Sequence, residues 1–218
     1  MKIFFYDLET TGLSYTENGI IQLAGIMTNL SDDNKLEILD ELNIEVCPRA
    51  EKKIETRALE VNGYSLDRVK DLQPDSEGFK EFLNFMRRHI NRYNKYDKCF
   101  LAGYNNIHFD NNFMRRWFTD NESKYFGSYF WSTTIDVLAE ATRYFLHYRA
   151  LFPNMKLKTL AKATGMKVDD DLFHDALYDV RCTISIFQHI LENNYIKEFD
   201  MKEVEKLKFL LQDDPESK

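Results

Sequence analysis

Asp7 and Glu9 stand two residues apart in the opening segment KIFFYDLETTGL. On a β-strand, side chains at that spacing leave the same face. Two carboxylates side by side at the margin of an apolar core repel each other and are costly to desolvate. A divalent cation between them offsets both costs, and an all-oxygen site suits Mg²⁺ or Mn²⁺. The spacing fits equally a strand that leaves the sheet edge with both acids in water. A third acid, Asp110, ends NNIHFD directly after the apolar run CFLAGY. The loop following a buried strand is where α/β folds place their sites, although a helix-capping aspartate belongs there too. The last element is HDALYD, carrying His174 and Asp179. Five positions on a helix differ by roughly 140°, so the two converge only if His174 precedes the helix and Asp179 points out of its early turns. A histidine beside an acidic site can take a proton from water at neutral pH; a capping histidine and a solvated aspartate are the alternative.

Positioning these groups requires a sheet and helices in a definite order. Residues 20–30 (IIQLAGIMTNL) and 36–46 (LEILDELNIEV), joined by SDDN, read as a hairpin that continues a meander from the first strand. Short helical pieces are expected at 56–61 and 65–71. An amphipathic helix over 76–93 carries Phe79, Phe82, Leu83, Met86 and Ile90 on one face and is capped by Asp75 or Ser76. CFLAGY at 99–104 reads as a strand, followed by a helix in the second half of NNIHFDNNFMRRWF. Two more helices are expected at 135–147 and 156–164, the latter stopped by Gly165. A long helix from Asp175 to about Asn193 buries Leu177, Val180, Ile184, Phe187, Ile190 and Leu191. A tail at 198–212 is amphipathic through Met201, Val204, Leu207, Leu210 and Leu211, and the closing DDPESK is expected to fray.

The chain has 218 residues, 44% hydrophobic and 14% aromatic, enough for one α/β domain. It contains no apolar run of membrane-spanning length and no signal-peptide pattern at its start. Cys47, Cys99 and Cys182 are odd in number and lack a CxxC pattern, which argues against a disulfide framework or zinc site and for a reducing, cytoplasmic setting. Rich use of Lys, Asn and Tyr suggests a bacterial or viral A+T-rich genome. The net charge of −7 disfavours a protein that coats long nucleic acid. It is compatible with one that grips a few nucleotides at an end, because bound cations invert the field of an acidic cleft.

Taken together, DLETTGL, NNIHFD and HDALYD resemble the three motifs of the DEDDh 3′–5′ exonuclease family, the group similar to the proofreading epsilon subunit of DNA polymerase III. A y-type member would carry Tyr four residues before the last acid; that position is Asp175, and His174 lies five before, which is the h-type pattern. GYNNIHFDNNFMRR, CPRAEKKIETRALEVNGYSLDRVKD and KLKTLAKATGM are similar to the nuclease domain of exonuclease I, over roughly residues 2–192. Exonuclease I carries further C-terminal domains, and the resemblance stops before them, so long processive runs are not expected.

The resemblance implies a ribonuclease H-like fold, a five-stranded mixed sheet flanked by helices, with residues 1–195 as the exonuclease domain and 196–218 as a helical tail on the same domain. It implies two Mg²⁺ or Mn²⁺ ions about 4 Å apart. Asp7 would bridge them, Glu9 and Asp179 would complete the first site, Asp110 would serve the second, and His174 would be the general base. Thr10, Thr11, Gly12 and Leu13 would meet the 3′-terminal nucleotide, with Asn106 and Phe109 as further contacts. The expected substrate is a nucleic acid 3′ end, with single-stranded DNA favoured over RNA because Leu8 and Thr10 replace the methionines of oligoribonuclease-like chains. Alternatives are an RNA or oligoribonucleotide exonuclease and a proofreading or trimming subunit docked through the tail. A non-catalytic binding module is disfavoured because all five acid and base positions are filled. Arg115, Arg116, Lys156 and Lys158 are candidate phosphate contacts or solvated cations. Tyr104, Trp117, Tyr129, Phe130 and Trp131 are candidate stacking surfaces or core.

Overall fold

The computed structural model describes residues 1–173, 175–193 and 201–211. The first strand, β1 (Lys2–Thr10), pairs antiparallel with β2 (Ile20–Leu30), which pairs antiparallel with β3 (Leu36–Cys47). Helices α1 (Thr56–Val61) and α2 (Leu66–Asp71) follow, then a two-residue strand β4 (Gln73–Pro74) parallel to the end of β3. Helix α3 (Asp75–His89) leads to β5 (Cys99–Gly103), parallel to β1, and then α4 (Asp110–Asp120) and α5 (Phe126–Tyr129). Strand β6 (Phe130–Asp136) lies parallel to β5. It is followed by α6 (Val137–Tyr144), a 3₁₀ turn at Leu146–Leu151, α7 (Leu157–Ala163), a 3₁₀ turn at Asp170–Leu172, α8 (Ala176–Glu192) and α9 (Met201–Leu211). The sheet order is β4-β3-β2-β1-β5-β6.

β1 is central, and its two faces feed two cores. Ile3 and Phe5 pack with Val137 and Ala141 of α6, Leu160 of α7 and Val180, Ile186 and Phe187 of α8. Phe4, Tyr6 and Leu8 pack with Phe79 and Phe82 of α3 and Met114, Trp117 and Phe118 of α4. A strand covered on both faces needs apolar residues at odd and even positions alike, which is why KIFFY shows no alternation. Close packing leaves no room at Gly25, where a Cβ would stand 2.1 Å from the Phe4 ring. Phe79 meets Trp117 and Phe118 edge-on, each at 5.0 Å between centroids.

The expected mixed sheet flanked by helices is present, with six strands in place of five. β4 is only two residues long, too short for any pattern. FWSTTID, where residues 135–147 were expected to be helical, is a strand up to Asp136, because its aromatic and β-branched side chains fit an edge beside β5. The helix there is shorter, Val137–Tyr144. Neither Asp75 nor Ser76 caps α3; Pro74 holds the N-cap position and the helix stops at His89. The Asp75 carboxylate instead accepts from Trp117 Nε1 (2.5 Å), Arg49 Nε (3.1 Å) and Asn121 Nδ2 (2.9 Å), joining α3 to α4. Of the apolar face expected on α8, Val180, Phe187 and Ile190 are buried, while Leu177, Ile184 and Leu191 are half-buried. On α9, Val204 and Leu207 enter the α6–α8 core, and Met201 is exposed. DDPESK lies outside the described residues. Among the described residues no helix is long and apolar enough to cross a membrane.

Candidate active site

The period of β1 builds the first half of the site. Its odd positions run Ile3, Phe5, Asp7, Glu9, so the face that is apolar under α8 turns acidic where the strand outruns its partner β5, whose last register match is Phe5 with Ala102. Helix α8 packs across that face and carries Asp179 in its first turn, held by the Asp175 cap, whose side chain accepts from Tyr178 N at 2.9 Å. Asp110 arrives from β5. Gly103 ends the strand, and Asn105 takes φ of +58°, a left-handed value that asparagine tolerates better than most residues. Asp110 then opens α4. Beside it, Asn111 accepts a 2.7 Å hydrogen bond from the buried Tyr6 hydroxyl, tying α4 to β1.

Glu9 and Asp110 are buried, and Asp7 and Asp179 half-buried. Burial and mutual repulsion push the carboxyl groups of Asp7, Glu9 and Asp110 toward the neutral form. Asp7 is raised well above its ordinary value by desolvation, then by Asp110, Glu9 and Asp179. Glu9 is pushed up to about 8 by desolvation, Asp179, Asp110 and Asp175. Asp110 is pushed up to about 7 by desolvation, against the polar backbone of Asp110 and Leu8, with Asp136 adding to the rise. Asp7 and Glu9 thus lie within electrostatic reach of both Asp110 and Asp179. Among the described residues, no three His, Cys, Asp or Glu side chains stand close enough together to hold a metal ion as placed. The chemistry of the four acids fits hard divalent cations, since every donor is a carboxylate oxygen and added positive charge relieves the repulsion. His174 lies outside the described residues.

This arrangement sets a pH dependence. For carboxyls raised to about 7 and about 8, the folded chain holds protons that the unfolded chain has released above about pH 4, so stability falls as pH rises through that window. The exposed Asp33 and Asp170, whose carboxyls are lowered by hydrogen bonds, act only below that window. We expect the melting temperature in chelator to be lower at pH 8 than at pH 5, and Mn²⁺ to raise it more at pH 8. A flat or rising profile in chelator would contradict the coupling.

The turn after β1 forms one wall of a pocket of about 440 Å³ lined by Glu9, Thr10, Gly12, Leu13, Phe109 and the α1 residues Arg57, Ala58 and Val61, with Glu55 and Asn62 at the helix ends. Leu13 is 82% exposed, an unusual placement for a leucine beside a buried site. Thr11 is buried and its hydroxyl donates to Lys53 O at 2.6 Å while accepting from Gly19 N, so its side chain braces the turn. Thr10 Oγ1 donates to Gly12 O at 2.8 Å, and Asn62 Nδ2 donates to Thr10 O at 3.0 Å. Asn18 Nδ2 reaches Glu55 Oε1 and Lys53 O, both at 3.1 Å. A Cβ on Gly12 would stand 2.4 Å from the Asn18 and Glu55 side chains and would displace their hydrogen bond. Phe109 is half-buried against Phe113 at 4.9 Å, with its ring also lining the pocket. Asn106 is fully buried; its Nδ2 donates to Thr134 Oγ1 at 3.2 Å and its Oδ1 has no hydrogen-bond partner among the described residues.

Several participants are not apparent from the sequence. Asp136, at the end of β6, accepts from Asn105 N and Leu138 N at 3.0 Å and raises Asp110. Its only sequence signal is an acid between a β-branched run and a helix. Asn18, Glu55, Arg57 and Asn62 come together through tertiary pairing of two loops, which no local spacing encodes. Of the candidate cations, Arg116 pairs with Asp120 at 2.7 Å, Lys158 pairs with Asp170 at 2.9 Å and Arg115 stacks on Phe126 at 4.3 Å. Of the candidate stacking aromatics, Trp117, Tyr129 and Phe130 are core, Tyr104 donates its hydroxyl to Met155 O and Trp131 is half-buried.

A family model described as exonuclease (RNase_T) matches residues 4–187. No curated protein matches the chain in sequence. Among solved structures, E. coli exonuclease I in complex with a dT13 oligonucleotide is similar at a TM-score of 0.67 and 20% identity, over 86% of this chain and 40% of that one. The zinc-bound form of the E. coli ExoI–ssDNA complex gives 0.66 and 20%, over 85% and 39%. The E. coli enzyme with a dA16 oligonucleotide gives 0.64 and 20%, over 85% and 39%. The chain thus spans about 40% of the length of these structures, and at this identity the likeness is one of fold.

Proposed function

The chain belongs to the RNase_T exonuclease family, and from that premise we propose that it shortens single-stranded DNA from the 3′ end, releasing nucleoside 5′-monophosphates. The observation that carries this reading is the mutually repelling set of buried Glu9 and Asp110 with half-buried Asp7 and Asp179, beside the pocket behind Leu13. Asp7, Glu9, Asp110 and Asp179 would hold the Mg²⁺ or Mn²⁺ ions, two per site by the family resemblance. When bound, such ions neutralise phosphate charge and make water a better nucleophile.

The remaining work belongs to the chain. The backbone at Thr10 and Thr11 receives the terminal 3′-hydroxyl, while Leu13 and Phe109 hold the last base by apolar contact. The buried Asn106 steadies the β5–α4 turn that carries Asp110. His174 takes the proton of the attacking water as its oxygen bonds to phosphorus. The P–O3′ bond breaks, the 3′-oxygen of the shortened strand takes a proton from solvent water, and His174 returns its proton to solvent once the 5′-monophosphate has left. Residues 1–195 constitute this unit, and burial of Val204 and Leu207 supports a tail that closes the same core. DNA is favoured over RNA on the residues flanking Glu9, Leu8 and Thr10.

The test is release of label from 3′-labelled DNA and RNA oligonucleotides with Mn²⁺ or with chelator. Cation-dependent mononucleotide release, faster from single-stranded DNA, is expected; failure on both polymers, or cuts inside the strand, would overturn the reading. Arg57, an exposed cation on the pocket wall, gives a finer check. We expect Arg57→Ala to raise KM about fivefold with kcat nearly unchanged, the ~1 kcal/mol of a solvated charge contact.

A further inference from the structure

Residues 87–98, RRHINRYNKYDK, hold five cations and one acid in a chain of net charge −7. They run from the end of α3 to the start of β5, at the pole of the sheet opposite the carboxylates. Lys2, at the start of β1, donates to Asp97 Oδ1 at 2.8 Å and so fastens this segment there. Lys2 and Glu9 are seven residue steps apart along the strand, which sets the two poles about 23 Å apart.

Two open grooves meet at this pole and share Asp97. One, of about 460 Å³, is lined by Arg87, Arg88, Arg92 and Tyr93; the other, of about 570 Å³, by Lys2, Tyr96, Lys98 and Trp131. Cations and rings alternate along them. Arg92 lies 4.9 Å over Tyr93 and 4.6 Å over Tyr125, Lys95 lies 4.8 Å over Tyr96, and Lys98 lies 5.3 Å over Trp131. Tyr93 is 83% and Tyr96 73% exposed, a large cost in apolar area for a chain that buries most of its other aromatics. Asp40 takes up Arg88 and His89, and Asp97 takes up Lys2, but Arg87, Arg92, Lys95 and Lys98 have no carboxylate partner among the described residues.

From this the geometry points to a second nucleic-acid surface, in which phosphates of a single strand meet Arg87, Arg92, Lys95 and Lys98 while its bases stack on Tyr93 and Tyr96. Solvated cations interleaved with exposed ring faces are what sequence-tolerant single-strand binding requires. An acidic peptide would satisfy the charges and leave the flat ring faces unused, so the rings decide for a strand. The inference deepens the exonuclease reading and rests on it for the substrate class. The surface would hold a strand whose 3′ end lies in the distant pocket, and affinity would therefore grow with length.

The test is equilibrium binding of 3′-blocked single-stranded DNA in chelator, at lengths from four to about sixteen nucleotides, the range of single-strand site sizes. Wild type is compared with Tyr93→Ala/Lys95→Glu/Tyr96→Ala, all exposed positions whose replacement leaves the core intact. The variant should lose at least about tenfold in affinity for the longest strand, lose nothing for the shortest, and hydrolyse a dinucleotide at the wild-type rate. Tyr93→Phe/Tyr96→Phe should bind as wild type. Equal affinity of the triple variant and wild type at all lengths would overturn the surface, as would loss confined to an acidic decapeptide probe. Wild type that binds in this length-dependent way yet hydrolyses nothing would overturn the catalytic reading and leave the surface standing.

Discussion

Asp7→Asn is expected to lower the rate of mononucleotide release at least about a thousandfold, the equivalent of the several kcal/mol that cation chemistry supplies at such a centre. Burial, and then Asp110, Glu9 and Asp179 together, oppose the charge on Asp7. A shape-preserving amide removes that charge without leaving a hole. The same replacement should therefore stabilise the cation-free protein. A gain of ~1 kcal/mol raises the melting temperature by about 3 °C for a chain of this size, and Mg²⁺ should then add less stability than it adds to wild type. The combination separates a site that sacrifices stability for function from an ordinary buried polar cluster. A cluster held together by hydrogen bonds would lose stability with the amide. Retained activity would remove Asp7 from the mechanism, and a fall in melting temperature in chelator would remove the repulsion on which the cation site depends.

The main lines of fold and site are visible in the sequence where one periodicity decides them. Asp7 and Glu9 continue the odd positions of Ile3 and Phe5, so the face they occupy follows from strand geometry once the first strand is recognised. Asp110 follows from its place after CFLAGY, and Asp179 from the α8 pattern, although only packing of α8 across β1 makes them neighbours. Where two signals compete, the sequence misleads. FWSTTID carries β-branched residues immediately before the helical VLAEATRY, and Ile135 and Asp136 fit either pattern until β6 pairs with β5. Asp75 sits where caps sit, yet three donors from α4 and the β3–α1 connection claim its carboxylate. The pocket wall of Glu55, Arg57 and Asn62 has no local signature, because Asn18 and Asn62 fix it by hydrogen bonds to backbone and side chains far away in the chain. Likewise Trp117, Tyr129 and Phe130 read as core more readily than as stacking surface, and their burial agrees.

His174→Ala should cost about a hundredfold to ten-thousandfold in kcat, the usual contribution of a positioned general base. The position lies one residue before the Asp175 cap of α8, and therefore within a few residues of Asp179 along the chain. The flanking segment is anchored on both sides: the Phe173 ring meets Tyr178 edge-on at 5.3 Å, and the Tyr178 hydroxyl accepts from Asp169 N at 2.7 Å. A base acts only when deprotonated, so wild-type kcat should rise with pH through a limb near the ordinary histidine value of about 6.5. That limb should vanish in His174→Ala, while the binding of strand and of Mn²⁺ remains close to wild type. Loss of cation binding along with the rate would make His174 a ligand and leave the proton without an acceptor from this chain. Full activity in the alanine variant would show that water is activated without it, and the three-motif pattern would then describe the metal site alone.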